Sequence, residues 1–496
     1  MPAPFPLPSR ALALWGAVIA ALLLPGCSQE QSGPVGVSVI GSRRDLNQPM
    51  RNILSPASKL ILESTAQGLV AFDAAGDIMP ALAERWIVED GGLSYIFRIR
   101  RARWATGVDV TAKEVARLLD ARIKANVSLD PHGDLNAVEE IVPMTGEVIE
   151  IRLSAPRPYL LQMLAQPQMG IVRSGDGTGP YRAEDRGKAL FLSPLPDPDD
   201  AEGEDAPTVA PRDNRVLRAE RAAHAIARFQ LGLSGLVLGG RYSDMPLLSG
   251  ADLDNNAVRI DPAQGLFGFS ITGHGDFLDD AGVRAALNMA IERERIPSIL
   301  SLGRWAFTDR LLTQQLDLPA PLTPPAWDGE AIENRRQAAL GILARWTMAH
   351  GAPPTLRVAM PAGSGTRRLF ASIAADWLRL GIRARLVPLD ADADMVLVDE
   401  VAAYDSAIWY LDRISCARGV HCDESAEALL ESAALATDAG QRAATLAQAA
   451  QKVSDHGGYI PLGAPIRWSL VARTLTGFTP SPRARHPLNQ LFRATN

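Results

Sequence analysis

The chain has 496 residues, 47% of them hydrophobic and 21% charged, with a net charge of −6. That length exceeds one ordinary core and predicts two or three domains, and the balance describes a folded globular protein. The acidic balance, with no dense run of Lys and Arg, excludes a protein built to track nucleic-acid phosphates.

The opening "MPAPFPLPSRALALWGAVIAALLLPGCSQEQSG" is a targeting segment. Arg10 supplies the positive end, and Ala11 to Leu24 form an apolar run too short for the roughly 20 residues of a permanent span. The run ends in "LPGC", similar to a bacterial lipobox with Leu24 at −3, Gly26 at −1 and Cys27 as the lipidated residue. Residues 1–26 are therefore expected to be a signal peptide, and 27–34 a lipidated cysteine with a polar tether. A secretory signal with an incidental cysteine is the plainer alternative.

Further along, "YIFRIR" (95–100) alternates as a half-buried strand does. "TAKE" (111–114) predicts a capping box, with the Thr111 hydroxyl accepting from the backbone near Glu114 and Glu114 reaching back, before the helix "EVARLLDARI". The acidic, Pro-rich stretch 195–214 and "LPAPLTPPAWDG" (318–329) predict loops or linkers. In "DDAGVRAALNMAIERERI", Val283, Ala286, Leu287, Ala290 and Ile291 keep helical spacing behind Asp279 or Asp280 as N-cap. "TLRVAM", a Gly-rich loop, "TRRLFASIAADWLRL", Gly381 and "IRARLV" predict strand–helix–strand, with Gly381 at the helix C′ position. The fold class is α/β with mixed sheets.

Catalytic templates fail in turn. "PAGSGTRR" precedes a helix but lacks the Lys-Ser/Thr of a phosphate loop, and glycine there is explained by geometry. "GLSGL" places Leu233 where a nucleophile elbow around Ser234 needs glycine. No HExxH, CxxC or DxDxDG occurs. Cys416 and Cys422 in "ISCARGVHC" are the two thiols left after Cys27, and an exported pair is most simply a disulfide. The alternative, a metal site using the adjacent His421, has few candidates for partners, because only seven His are scattered along the chain. No catalytic residue, cofactor or metal is expected.

The stretch 67–115 carries Gly68-Leu69, Pro80-Ala81-Leu82-Ala83, Trp86, Gly91, Phe97, Trp104, Gly107 and Thr111-Ala112. In that order and spacing it resembles a signature of the family 5 extracellular solute-binding proteins, the receptors of peptide-type ABC importers. Gln67 stands where the family commonly has Glu, and Lys113 where it has an acid. "GTGPYRAED" (177–185), Val283-Arg284 with Ala286, Ala290-Ile291 and Arg293, and "GGYIPLGAP" with "LTGF" (475–478) resemble later family segments in the same order.

The resemblance implies a bilobal periplasmic binding protein of the type II-like, three-subdomain kind, hinged between lobes. Lobe I would be 35–265 with an inserted subdomain at about 66–165, lobe II 266–465, and 466–496 would return to lobe I. Trp86 and Trp104 would then be core rather than ligand contacts. The implied function is capture of a peptide or peptide-like solute for an ABC permease, by a monomeric, lipid-anchored periplasmic lipoprotein with no reaction of its own and no nucleic-acid partner. An envelope-assembly or chaperone-like module on the same fold is the alternative, and a secreted enzyme a more distant one.

Peptide receptors of this family present an Asp to the ligand ammonium within a Trp-x-x-Asp-Tyr segment, because a buried cation needs a partner. Aligned without gaps, Glu400 falls at the Trp, Ala403 at the Asp and Tyr404 at the Tyr. A second alignment on "WYLD" puts Asp412 in the role. The candidate ligand-binding residues are thus Glu400, Tyr404, Asp405, Trp409 and Asp412, and ordinary free-amine di- and tripeptides are expected to bind poorly.

Overall fold

The structure is a computed structural model that describes residues 33–50, 54–104, 106–127, 133–173, 175–195, 210–254, 256–313 and 316–493. The signal segment, Cys27 and most of the 195–214 break lie outside the described residues. Among the described residues no helix is long and apolar enough to cross a membrane.

Two mixed sheets and one antiparallel sheet carry the fold. The first has seven strands in the order Tyr181–Asp185, Leu190–Pro194, Arg215–Glu220, Val35–Ile40, Leu236–Arg241, Arg467–Val471 and Val258–Ile260. Its three middle strands from Arg215–Glu220 to Leu236–Arg241 run parallel. Val35–Ile40 is buried on both faces, as a parallel strand covered on each side must be. The second sheet orders Ala384–Val387, Leu356–Ala359, Met395–Val401, Gly265–Ile271 and Tyr459–Gly463. The third is Ala83–Glu89, Ser94–Ile99, Val148–Leu153 and Val138–Pro143, with the Ala112–Val127 helix against it.

The chain passes from the first sheet to the second between Ile260 and Gly265, and back between Gly463 and Arg467. Asp261, in the first passage, is almost fully buried; its carboxylate accepts from the Ser481 backbone at 2.9 Å and lies 3.1 Å from His486 Nε2. Its own N–H donates to the Arg467 carbonyl at 3.0 Å, which ties the two passages together.

One core joins the antiparallel sheet to the helices Ala407–Arg413, Glu424–Leu435 and Ala439–His456. A second spans the two mixed sheets, through Val237 and Leu470 on one and Phe267, Phe269 and Leu462 on the other. Trp104 is buried, and Trp86 packs half-buried against Phe97 at the edge of the first core.

The strand at Ser94–Ile99 and the helix at Ala281–Met289 form where periodicity predicts, the latter with Asp280 accepting from Val283 N at 2.9 Å. Two local expectations are corrected. Thr111 does accept from Glu114 N, at 3.3 Å, but the Glu114 carboxylate turns to Trp104 Nε1 at 3.1 Å and to Arg173 at 3.4 Å instead of reaching back. Leaving an indole N–H unpaired inside the core costs more than losing a cap exposed to water, and Trp104 wins. Gly381 takes the left-handed conformation one residue later than the C′ position, after the C-cap Arg379 and Leu380.

The glycines of "PAGSGTRR" serve close approach. A Cβ on Gly365 would lie 2.0 Å from the Tyr242 carbonyl oxygen, where the Ser364–Leu378 helix abuts Tyr242–Asp244. Ser234 is buried, donating to the Leu236 carbonyl at 2.8 Å, a structural role.

Candidate functional site

The predicted ligand residues lie on one strand–turn–helix, from Met395–Val401 through Ala402–Ser406 into Ala407–Arg413. Asp317 caps this helix from outside, its carboxylate accepting from Ala407 N at 2.7 Å and from the Ser406 hydroxyl at 2.6 Å. Tyr404 and Trp409 are buried. Trp409 meets Tyr410 edge-on with ring centroids 5.0 Å apart, the Arg413 guanidinium lies 4.8 Å from its ring centre, and its indole N–H has no acceptor among the described residues.

The three acids of the set are engaged by arginines. Glu400 lies 3.3 Å from Arg413 Nε. Asp412, only 1% exposed, holds Arg418 at 2.6 Å and Arg413 at 3.1 Å. A ligand ammonium would have to compete there with two guanidinium groups. Asp405 reaches away from both, to Arg483 at 2.6 Å and Gln162 Nε2 at 3.1 Å, while its N–H donates to Gln162 Oε1 at 2.9 Å. It is a tie between the two sides of the molecule. Gln166 adds another, donating to the Ala403 carbonyl.

The structure brings together a second group that sequence reasoning missed. Arg241 ends the parallel strand Leu236–Arg241 and pairs in register with Arg467 of the returning C-terminal strand. Carboxyl ends of parallel strands are where such sheets present ligand-binding groups. Arg467 donates to the Asp399 carboxylate at 2.6 Å and to its carbonyl at 3.0 Å, joining the two mixed sheets. The Pro56–Thr65 helix, started by Ser55 accepting from Ser58 N, presents Lys59 and Glu63 one turn apart. Glu63 lies 3.4 Å from Arg485, which also donates to the Ala165 carbonyl and Gln166.

Lys59 and Arg241 differ from these neighbours. Neither has a carboxylate within ion-pair distance among the described residues. Lys59 is accessible to water, yet surrounding protein lowers its pKa to about 8, with Arg485, Arg467 and Arg241 adding to the effect and Glu63 opposing it. Burial likewise lowers Arg241, helped by Arg467 and opposed by Asp399 and Asp244. Lys59 thus stays accessible to water while lying beside Glu63 and within the field of Arg485, Arg467 and Arg241. No motif announces it, because a single Lys on an amphipathic helix reads as an ordinary solvated position.

Two mixed sheets between which the chain passes twice have the bilobal α/β architecture of the periplasmic binding proteins. Residues 77–419, more than half of the chain, match the bacterial extracellular solute-binding proteins, family 5 (Middle), and the chain belongs to this family. It is 21% identical over 485 residues to the periplasmic oligopeptide-binding protein OppA of Escherichia coli K12, covering 86% of each chain. OppA of Burkholderia pseudomallei superposes with a TM-score of 0.75 at 18% identity, over 94% of this chain and 100% of that one. OppA of Haemophilus influenzae, solved in complex with RPPGFSPFR, gives 0.75 at 16% identity, over 94% and 99%.

Proposed function

We propose that this chain is the periplasmic, lipid-anchored receptor of an ABC importer, and that its solute presents an anionic group to Lys59 and Arg241. The lobes would be residues 35–265 with 466–496, and 266–465, closing about the two passages at 261–264 and 464–466. The observation that carries the solute class is that Lys59, on the Pro56–Thr65 helix, and Arg241, at the carboxyl end of the Leu236–Arg241 strand, have no carboxylate within ion-pair distance among the described residues. A charge held among protein atoms without a counter-ion is costly, and a ligand carboxylate, phosphate or sulfate relieves that cost. Ala403 in place of the family's anchoring acid, with Asp412 and Asp405 already matched by arginines, supports a solute that does not rely on a free ammonium. A modified peptide or another peptide-like acid fits both features. Membership of a family whose relatives include oligopeptide receptors supports the import role.

The test is mass spectrometry of solute carried through native purification, followed by calorimetry with a library of free-amine, N-acylated and C-amidated peptides. Binding is expected to require the acid group and to tolerate N-acylation. Tight binding of C-amidated peptides with a free amine, unchanged in Lys59→Met and Arg241→Met, would overturn the assignment.

A further inference from the structure

Beside the second mixed sheet, the fold gathers three of the chain's seven histidines. We infer that His274, Asp279 and His421 form a binding site for a divalent first-row transition metal, with His456 orienting His421. The residues come from separate segments. His274 and Asp279 follow the strand Gly265–Ile271, His421 lies in the loop closed by the Cys416–Cys422 disulfide, and His456 ends the Ala439–His456 helix.

The donor atoms converge. His421 Nε2 lies 2.9 Å from Asp279 Oδ1, His274 Nδ1 lies 3.6 Å from the same oxygen, and one donor atom from each of the three falls within 4.8 Å of the others. Ligands about 2.0–2.2 Å from a tetrahedral zinc stand about 3.3 Å apart, so a small rotation of the exposed His274 ring completes the set. Two imidazoles and a carboxylate suit zinc, nickel and copper rather than calcium or magnesium, and the fourth position faces water.

The surrounding frame is that of a prepared ligand set. His421 Nδ1 lies 2.9 Å from His456 Nε2, which fixes the ring and leaves Nε2 turned toward Asp279; a partner on the other ring nitrogen is what orients metal-bound histidines, here an imidazole in place of the commoner carboxylate or carbonyl. The His421 N–H donates to the Ile271 carbonyl at 2.7 Å, and its own carbonyl lies 1.8 Å from where a Cβ on Gly458 would be, so only glycine admits this approach. Arg284 braces the other two segments, donating to the His456 carbonyl at 3.0 Å and to the Leu278 and Asp279 carbonyls at 2.8 and 3.0 Å. The Cys416–Cys422 pair is oxidised and is not part of the donor set.

Calorimetric titration of the EDTA-treated, full mature chain with zinc, nickel and copper chlorides tests this. One equivalent of at least one metal is expected to bind with a Kd of micromolar or below and to raise Tm. His274→Ala, at a position exposed enough to leave folding intact, should weaken binding at least tenfold, as should Asp279→Asn and His421→Ala. His456→Gln is expected to cost about tenfold through orientation alone. Absorption-edge spectroscopy should report two imidazoles and a carboxylate. Absence of binding by all three metals, or binding unchanged in His274→Ala and Asp279→Asn, would overturn the site.

Discussion

Removing one arginine should show whether the two sides of the molecule close on each other without water. Arg442 donates to Asp134 at 2.6 Å and to Asp317 at 3.1 Å, and Arg157 lies 3.2 Å from Asp134 while donating to the Ala434 carbonyl at 2.5 Å. Asp134 and Arg157 flank the antiparallel sheet, whereas Asp317, Ala434 and Arg442 lie in the 266–465 segment, so this network bridges the structure. The side chains of Asp134, Arg157 and Arg442 are 1%, 2% and 5% exposed. Burial holds the Asp134 carboxyl above its usual range against the pull of both arginines. Arg442→Met keeps the aliphatic stem and deletes the charge. Asp317 keeps Ser406 and the Ala407 N–H, but Asp134 is left with Arg157 alone and with its second oxygen already lacking a partner. Breaking a buried pair from one side costs about 3–5 kcal/mol. Urea unfolding should register that loss at pH 7. The deficit should narrow as pH falls, since protonating Asp134 removes the unmatched charge. A double variant with Asp134→Asn should recover part of it. A loss below about 1 kcal/mol, independent of pH, would refute the reasoning and mean that water already reaches Asp134 in the free protein.

Three further outcomes are expected. Gly365→Ala should lower stability by about 1–3 kcal/mol, because the new methyl meets the Tyr242 carbonyl, whereas Gly341→Ala, mid-helix and facing only Arg345 at 3.8 Å, should gain about 0.5–1 kcal/mol; thermal melts of the two compare them directly. Affinity for an anionic solute should fall as pH rises through about 8, where Lys59 loses its proton, and the Lys59→Met profile should be flat across that range by calorimetry. Cys27→Ser should release the protein from the detergent phase or leave it unprocessed, and a wild-type mature protein found wholly in the aqueous phase would end the lipoprotein assignment.

The parts of this chain that periodicity and caps announce are those whose cause is local. Val283, Ala286 and Leu287 mark a helix face wherever they occur, and Asp280 caps it with an atom three residues away. The family signature likewise resides in contiguous turns. The charged group was hidden because Lys59, Arg241 and the Asp399, Arg467 and Arg485 set come from three well-separated parts of the chain, and each alone resembles a surface charge. Glu400, Asp405 and Asp412 were legible as acids near the family's ligand segment, but their arginine partners were not. Arg483 lies 78 residues from Asp405, and nothing in either local pattern encodes the pairing. The histidines near 274, 421 and 456 looked scattered for the same reason.

The strand Arg467–Val471 lies inside the first sheet, hydrogen-bonded to Leu236–Arg241 on one side and Val258–Ile260 on the other. A chain folding from its N-terminus therefore has a gap in that sheet until Arg467–Val471 is available, and Asp261 and Asp405 wait longer still for His486 and Arg483. Contacts so distant in sequence slow folding. Cleavage ahead of Arg467 would leave the edges of Leu236–Arg241 and Val258–Ile260 bare, ready to pair with another chain.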